Sequence, residues 1–177
     1  MVRPILKSTD PRLREKSKRV EKTDKKVVAL ITDLKDTLKV QNDPEGVGLA
    51  APQIGKNVRI FIFTKGKEMV TIINPEIIKI SESIKKKPKK ADKKTKIMEG
   101  CLSLPHFYGP LKRKDKITIS YLDEDGKQKT DTFIDFDAQI VQHEIDHLNG
   151  ILFVDRLLEQ KKPLYEYVNG GWEKVEI

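Results

Sequence analysis

The stretch His143-Glu144-Ile145-Asp146-His147 decides how this chain is read. Two imidazoles four residues apart fall on one face of an α-helix, a single turn from each other, so both rings can reach one metal ion. Glu144 stands beside the first imidazole, where its carboxylate can take a proton from a water that the ion activates. A surface helix carrying two His and a Glu by coincidence is the bland alternative, and five residues alone do not dispose of it. The sequence around them has to decide.

Working outward, the helix is predicted from about Asp135 to Asn149, with Gly150 suited to the left-handed C′ position. Its inward face is expected to hold Phe136, Ile140, His143 and His147. Before it, Lys116–Leu122 alternates cleanly, turns at Asp123–Gly126 and returns from Lys127 to Ile134, which reads as a hairpin. Further upstream, Val27, Leu30, Ile31, Leu34 and Leu38 form one stripe of an amphipathic helix over residues 24–41, with Asp24 as its N-cap. Val58–Phe63 and Met69–Ile73 read as paired strands, and Glu76–Ile80 as a third. The tail, about 163–177, resembles a small hairpin around Asn169-Gly170. There is no internal repeat. The expected class is α+β: a single domain over 1–177, with antiparallel strands packed around a central helix carrying HExxH.

Composition narrows the setting. A chain of 177 residues with 37% hydrophobic and 35% charged residues is long enough for a genuine core and reads as soluble and highly charged but not disordered. No apolar run approaches the ~18 residues of a membrane span, and the N-terminus lacks a signal-peptide core, so a cytoplasmic location is expected. The net charge of +8 favours polyanions such as RNA. Eight lysines crowd between Lys85 and Lys96 around Pro88, which reads as a solvated loop insertion over about 84–96. No aromatic residue is interleaved there for base stacking, and neither a DNA nor a membrane partner is expected.

Cys101 is the only cysteine, so no intramolecular disulfide exists. It lies in Glu99–Pro105 (EGCLSLP), between a permissive Gly100 and a stiff Pro105. One thiolate and two imidazoles make a three-ligand site with the fourth position open, the catalytic arrangement. A closed structural site needs a fourth ligand. His106 is the only remaining histidine, and it sits too close to Cys101 in sequence to reach the same ion without strain.

A third motif, Gly46–Gly55 (GVGLAAPQIG), lacks the Lys-Ser/Thr of a phosphate loop and follows Asp43 and Glu45. Its open backbone at Gly46, Val47 and Gly48 suits an extended peptide added as a strand, and Gln53 offers an amide donor to an oxyanion.

Gly46–Gln53, Glu99–Ser103 and His143–Gly150, in that order, resemble the GxGLAAPQ, EGCLS and HExDHLxG motifs of the peptide deformylases. Asp10–Arg14 and Leu152–Arg156 fit too, and the resemblance spans about residues 1–158. It implies that Cys101, His143 and His147 bind one divalent ion, natively Fe2+, with Zn2+, Ni2+ or Co2+ as substitutes. It implies Glu144 as general base and then proton donor, and Gln53 with the Leu102 N–H as oxyanion donors. The substrate would be an N-formyl-methionyl nascent peptide, met during transient ribosome association, and formate a product. Ile140 and Phe136 are expected to line the methionine slot, and Glu99 to pair with Arg113 and fix Cys101. Two features depart from the family: the lysine-rich insertion, and a hairpin where ribosome-docking bacterial members carry a basic helix.

Two rivals remain in view. A zinc endopeptidase of the metzincin branch needs a third His six residues after His147, where Phe153 stands. Another branch takes a downstream Glu, for which Glu166 or Glu173 would serve, but that leaves Cys101 and Gln53 without a role. A non-catalytic RNA-binding protein fits the charge but not an intact Glu144 and Gln53.

Overall fold

A computed structural model of the chain describes residues 1–82 and 98–176. The lysine-rich insertion expected at 84–96 lies outside the described residues. Among the described residues, two antiparallel sheets and three α-helices make up the fold, and the α+β class expected from sequence is the one observed.

The five-stranded sheet has the order β1 (Gly48–Ala50), β2 (Ile60–Lys65), β3 (Glu68–Ser81), β6 (Lys116–Leu122), β7 (Gln128–Ile134). Strand β2 explains how the layers stack. Alternate residues of a strand face opposite sides. Here Ile60 and Ile62 pack with Ile31, Leu34 and Leu38 of α1 (Lys25–Lys39), while Phe61 and Phe63 pack with Val141, Ile145 and Leu148 of α2 (Asp135–Leu148). All four β2 residues are fully buried, which is why the run is apolar without alternation. Burying such a side chain contributes roughly 1.5–3 kcal/mol.

Asp24 caps α1 as expected, its carboxylate accepting from the N–H groups of Lys26 and Val27 at 3.0 and 3.1 Å. At the far end of α2, the Arg59 guanidinium donates to the Leu148 carbonyl at 3.1 Å and the Asn149 side chain at 3.0 Å. A cation at that position also meets the negative end of the helix dipole. Gly150 takes φ +74°, the left-handed conformation its place after the helix required.

The second sheet has the order β4 (Glu99–Cys101), β5 (Leu104–Gly109), β8 (Leu164–Val168), β9 (Gly171–Val175). Beneath it, α3 (Phe153–Glu159) sends Phe153 and Leu157 against Leu111 and Leu164, with Cys101 and Leu104 packed on the cluster. The predicted tail hairpin is present, and Asn169 and Gly170 carry the positive φ values (+49° and +77°) of a tight primed turn.

Two expectations need correction, and some elements were not expected. Met69–Ile73 and Glu76–Ile80 are one strand: β3 pairs with β2 through its first half and with β6 through its second, with register shifts between. Buried Asn74 sits at the change: its N–H donates to the Arg59 carbonyl, and its side chain bonds both the N–H and the carbonyl of Val20, each at 2.8 Å. Phe136 does not face inward. The first two residues of α2 are exposed, burial becomes continuous only from Ile140 onward, and Phe136 keeps 48% of its surface. The short strands β1, β4 and β5 and the helix α3 went unread in the sequence: β1 and β4 have three residues each, β5 is interrupted by Pro105 and by His106 at φ +69°, and the seven residues of α3 make under two turns.

Candidate metal centre

Helix α2 supplies His143 and His147 from successive turns, and β4 ends on Cys101 facing them. One donor atom from each lies within 4.8 Å of the other two, with Cys101 Sγ 3.3 Å from His147 Nε2. The imidazole rings stand edge to face, centroids 4.9 Å apart. His106, with φ +69°, points instead to Asp43 at 4.0 Å, and Glu166 and Glu173 face each other across the hairpin β8–β9. None of these three belongs to the donor cluster, so neither the four-ligand structural site nor the downstream-Glu endopeptidase has its ligand.

The surroundings fit a metal ion. His143 Nδ1 is held by Glu99 Oε1 at 2.7 Å, which leaves Nε2 as the ring's remaining donor. Glu99 is in turn gripped by Arg113, whose Nε and Nη2 reach its two oxygens at 2.7–3.1 Å, and by Gln139 at 3.1 Å. The pairing of Glu99 with Arg113 expected from sequence is therefore present, though it steadies His143 more directly than Cys101. Arg113 also donates to Asp146 at 2.9 Å, and Asp146 receives Arg156 of α3 at 2.8 Å. The chain of alternating charges runs from α3 through α2 to the ligand itself.

Burial alone would raise the Glu99 carboxyl, but hydrogen bonds from His143 and Arg113 outweigh it and hold it at about 2. Burial likewise pushes the Cys101 thiol up, and the two imidazoles more than reverse this, holding it well below the usual thiol range. A thiolate is the form that ligates a metal. His143 is held well above its ordinary value, burial being outweighed by the Cys101 sulfur and the Glu99 carboxylate.

Glu144 is 3% exposed, and its Oε2 has no hydrogen-bond partner among the described residues. Burial raises its carboxyl to about 7, against the opposing pull of the two imidazoles. A carboxyl so poised can both take and return a proton near neutrality. Room for it exists only because residue 48 is glycine: a Cβ there would lie 2.5 Å from Glu144 Oε1. His147 Nδ1 also lacks a partner among the described residues, unlike its counterpart on His143.

Gln53 sits on the 3₁₀ turn Ala51–Ile54 after β1 and is 1% exposed. The Ala50 N–H donates to its Oε1 at 2.9 Å, fixing the amide so that Nε2 points at Cys101 Sγ (3.6 Å) and Ser103 Oγ (3.1 Å). These groups open onto a cavity of about 450 Å³. Gly48, Val47, Leu102 and Ile140 line it along with Glu144 and Gln53, and Phe136 contributes from the rim. Gly46, also proposed for substrate, lies beside Leu102 and Leu38: a Cβ on it would come within 3.2 Å of Leu102 Cδ1 and 2.7 Å of Leu38 Cδ1.

Several participants were missed in the sequence. Ser103, Asp146, Arg156 and Gln139 stood inside or beside quoted motifs, and a charge such as Arg156 in the apolar run after Gly150 was a usable signal. Tyr108 and Tyr167 in the cavity wall gave none, since nothing in their spacing links them to α2.

An α+β scaffold that gathers a thiol, two imidazoles and a buried carboxyl with one oxygen unpaired among the described residues around an open cavity defines a metal-dependent hydrolase. Residues 2–163 match the family model described as polypeptide deformylase. A peptide deformylase of Pseudothermotoga lettingae is 41% identical over 162 residues, covering 92% of this chain and 86% of that protein. The crystal structure of the Thermotoga maritima peptide deformylase superposes with a TM-score of 0.76 at 33% identity, over 88% of this chain and 97% of that one. That of Legionella pneumophila gives 0.76 at 40% identity, over 89% and 86%. The chain belongs to the polypeptide deformylase family, enzymes that remove the N-formyl group from new polypeptides.

Proposed function

We propose that Cys101, His143 and His147 hold one divalent ion and that deformylation of N-formyl-methionyl peptides takes place beside it. The observation that carries this is the convergence of the three donors within 4.8 Å, next to a buried carboxyl with an oxygen left unpaired. When bound, the ion supplies Lewis acidity toward the formyl oxygen and toward a water.

The chain's own residues do the rest. Glu144 takes the proton of the attacking water and returns it to the amine that leaves, so one carboxyl serves both halves of the reaction. The Gln53 amide and the Leu102 N–H meet the negative charge that develops on the formyl oxygen, each such donor being typically worth about 3 kcal/mol. Gln53 is positioned by Ala50 before substrate arrives, so little reorganisation is needed. The peptide lies along Val47 and Gly48, while the Gly46 N–H is already bonded to the Gln41 carbonyl at 3.2 Å; β1 is the edge strand of its sheet, so its outer side is open to a strand from the substrate. Ile140 forms the buried wall of the methionine slot and Phe136 its exposed lip.

The ion is Fe2+, with Zn2+, Ni2+ or Co2+ able to replace it, because one thiolate and two imidazoles suit all four. The enzyme works in the cytoplasm on nascent chains, and its net charge of +8 supports transient association with the RNA-rich ribosome. None of the helices among the described residues is long and apolar enough to cross a membrane. Formate release from a formyl-Met tripeptide by anaerobically prepared protein, with metal analysis of the same sample, tests both activity and ion. Aerobic zinc-loaded protein equalling anaerobic iron-loaded protein in kcat/KM would overturn the iron assignment and leave the activity standing.

A further inference from the structure

The hairpin β8–β9 begins at Leu164, one residue beyond the stretch matched by the family model, yet it reaches the catalytic cavity. Tyr167 of β8 lines that cavity together with Tyr108 of β5. Trp172 lies opposite Tyr167 in the register of the hairpin, and its ring joins the two tyrosines: 4.9 Å to Tyr167, and 5.4 Å edge-to-face to Tyr108. The plane of Tyr108 is fixed, since its ring lies against Gly100 so closely that a Cβ there would come within 2.6 Å of two ring carbons. Tyr167 and Trp172 remain 44% and 52% exposed. Large aromatic side chains left in water at the mouth of a cavity are the usual mark of a binding surface.

The electrostatics of the mouth point one way. In a chain with 35 Lys and Arg against 27 Asp and Glu, no Lys or Arg lines the cavity among the described residues, while Asp43 and Glu45 do. The Asp43 side chain is 91% exposed, with His106 at 4.0 Å. Tyr108 feels it: burial first, then the Asp43 charge, raises the phenol above its ordinary range. A guanidinium stacks on aromatic faces and offers a fork of N–H groups to a carboxylate, where an ammonium offers only a point charge.

We infer that the C-terminal hairpin closes the peptide end of the substrate site, and that Tyr108, Tyr167 and Trp172, with Asp43 opposite, select an arginine downstream of the formyl-methionine. This rests on the deformylase reading for the identity of the substrate. The hairpin is then a specificity element of the enzyme, in the place where a basic helix was the alternative.

Trp172 is the only tryptophan, so its emission reports on this wall alone. Metal-loaded Glu144→Gln protein, which binds without turnover, is titrated with formyl-Met-Arg-Ala and formyl-Met-Ala-Arg and with the matching serine peptides. A saturable emission change at about tenfold lower concentration for an arginine peptide is expected. Tyr167→Ala and Asp43→Asn should each remove most of that difference, and Tyr167→Phe should keep it. Identical titrations for arginine and serine peptides, or no emission change with any of them, would overturn the inference. Absence of formate release by the metal-loaded parent protein would overturn the deformylase reading instead, and the emission titration would still decide the role of the wall.

Discussion

Glu99 at the floor of the cavity, with Arg113 and Asp146 behind it, keeps an ionic chain whose side chains are 5–9% exposed, and each charge meets an opposite one at 2.7–2.9 Å. At the rim, Asp43 keeps 91% of its side-chain exposure and Trp172 keeps 52% of its residue surface. Both regions serve one site, but they obey different physics. A buried ion pair holds its partners in one geometry, because a lone charge in a dry interior is costly, whereas an exposed charge is screened and attracts a partner without fixing its geometry. The floor is therefore built to keep ligands and proton carrier fixed, and the rim to meet a variable peptide.

The sharpest way to break this comparison is at Glu144. Glu144→Ala should lower deformylation by about 10³-fold while the metal content stays at the parent level, because the carboxyl moves protons and does not ligate. Formate release measured beside metal analysis checks it, and loss of the metal would recast Glu144 as a structural group. Gln53→Ala should cost about 10²-fold, falling on kcat more than on KM, since the amide is asked to act in the transition state. A change in KM alone would move Gln53 from the floor to the rim in function.

Glu99→Gln tests the ionic chain behind the ligands. Leaving Arg113 short of a buried partner should cost about 3–5 kcal/mol of stability, and metal affinity should fall about 10–100-fold. The sign of the pH dependence follows from a carboxyl depressed to about 2 from its ordinary 4.5. Its contribution is fully present above pH 4.5 and is lost as pH falls through 2. The gap in urea midpoint between metal-free parent and variant should thus be widest near neutrality and close in acid. A gap independent of pH would remove the charge of Glu99 from the account.

The smallest effect is expected at Phe136, whose side chain is half in solvent. Phe136→Ala should leave stability within about 0.5 kcal/mol, as surface changes do, and shift KM by only a few-fold. Thermal unfolding and steady-state kinetics on one preparation check both. A fall in stability comparable to that of Glu99→Gln would erase the distinction between floor and rim.

The two regions also differ in how far they could be read beforehand. The ligands, the carboxyl and the amide were legible because each sits in a short motif whose spacing has a mechanical meaning: His143 and His147 share a helix face, and Cys101 follows a permissive glycine. The capped helix α1, the hairpin β6–β7 and the tail hairpin were legible from local turn and cap chemistry. Phe136 was misplaced because helical periodicity gives the face of a side chain and says nothing of where the helix enters the core. The two-part strand β3 was divided at Pro75 because the side chain at the change, Asn74, is bonded to Val20, 54 residues away.

What the sequence determined by itself is what depends on neighbours along the chain: the donor set, its carboxyl, the capped helices and the tight turns. The tertiary structure alone decided which distant groups meet. It joined Arg156 of α3 through Asp146 to the Arg113–Glu99 pair that the family resemblance implied, and Glu99 to His143, and it brought Tyr167 and Trp172 to the cavity mouth. The reason is physical: hydrogen bonds within a turn are set by a few backbone angles, while contacts between remote segments depend on how whole layers pack, and no local pattern records that.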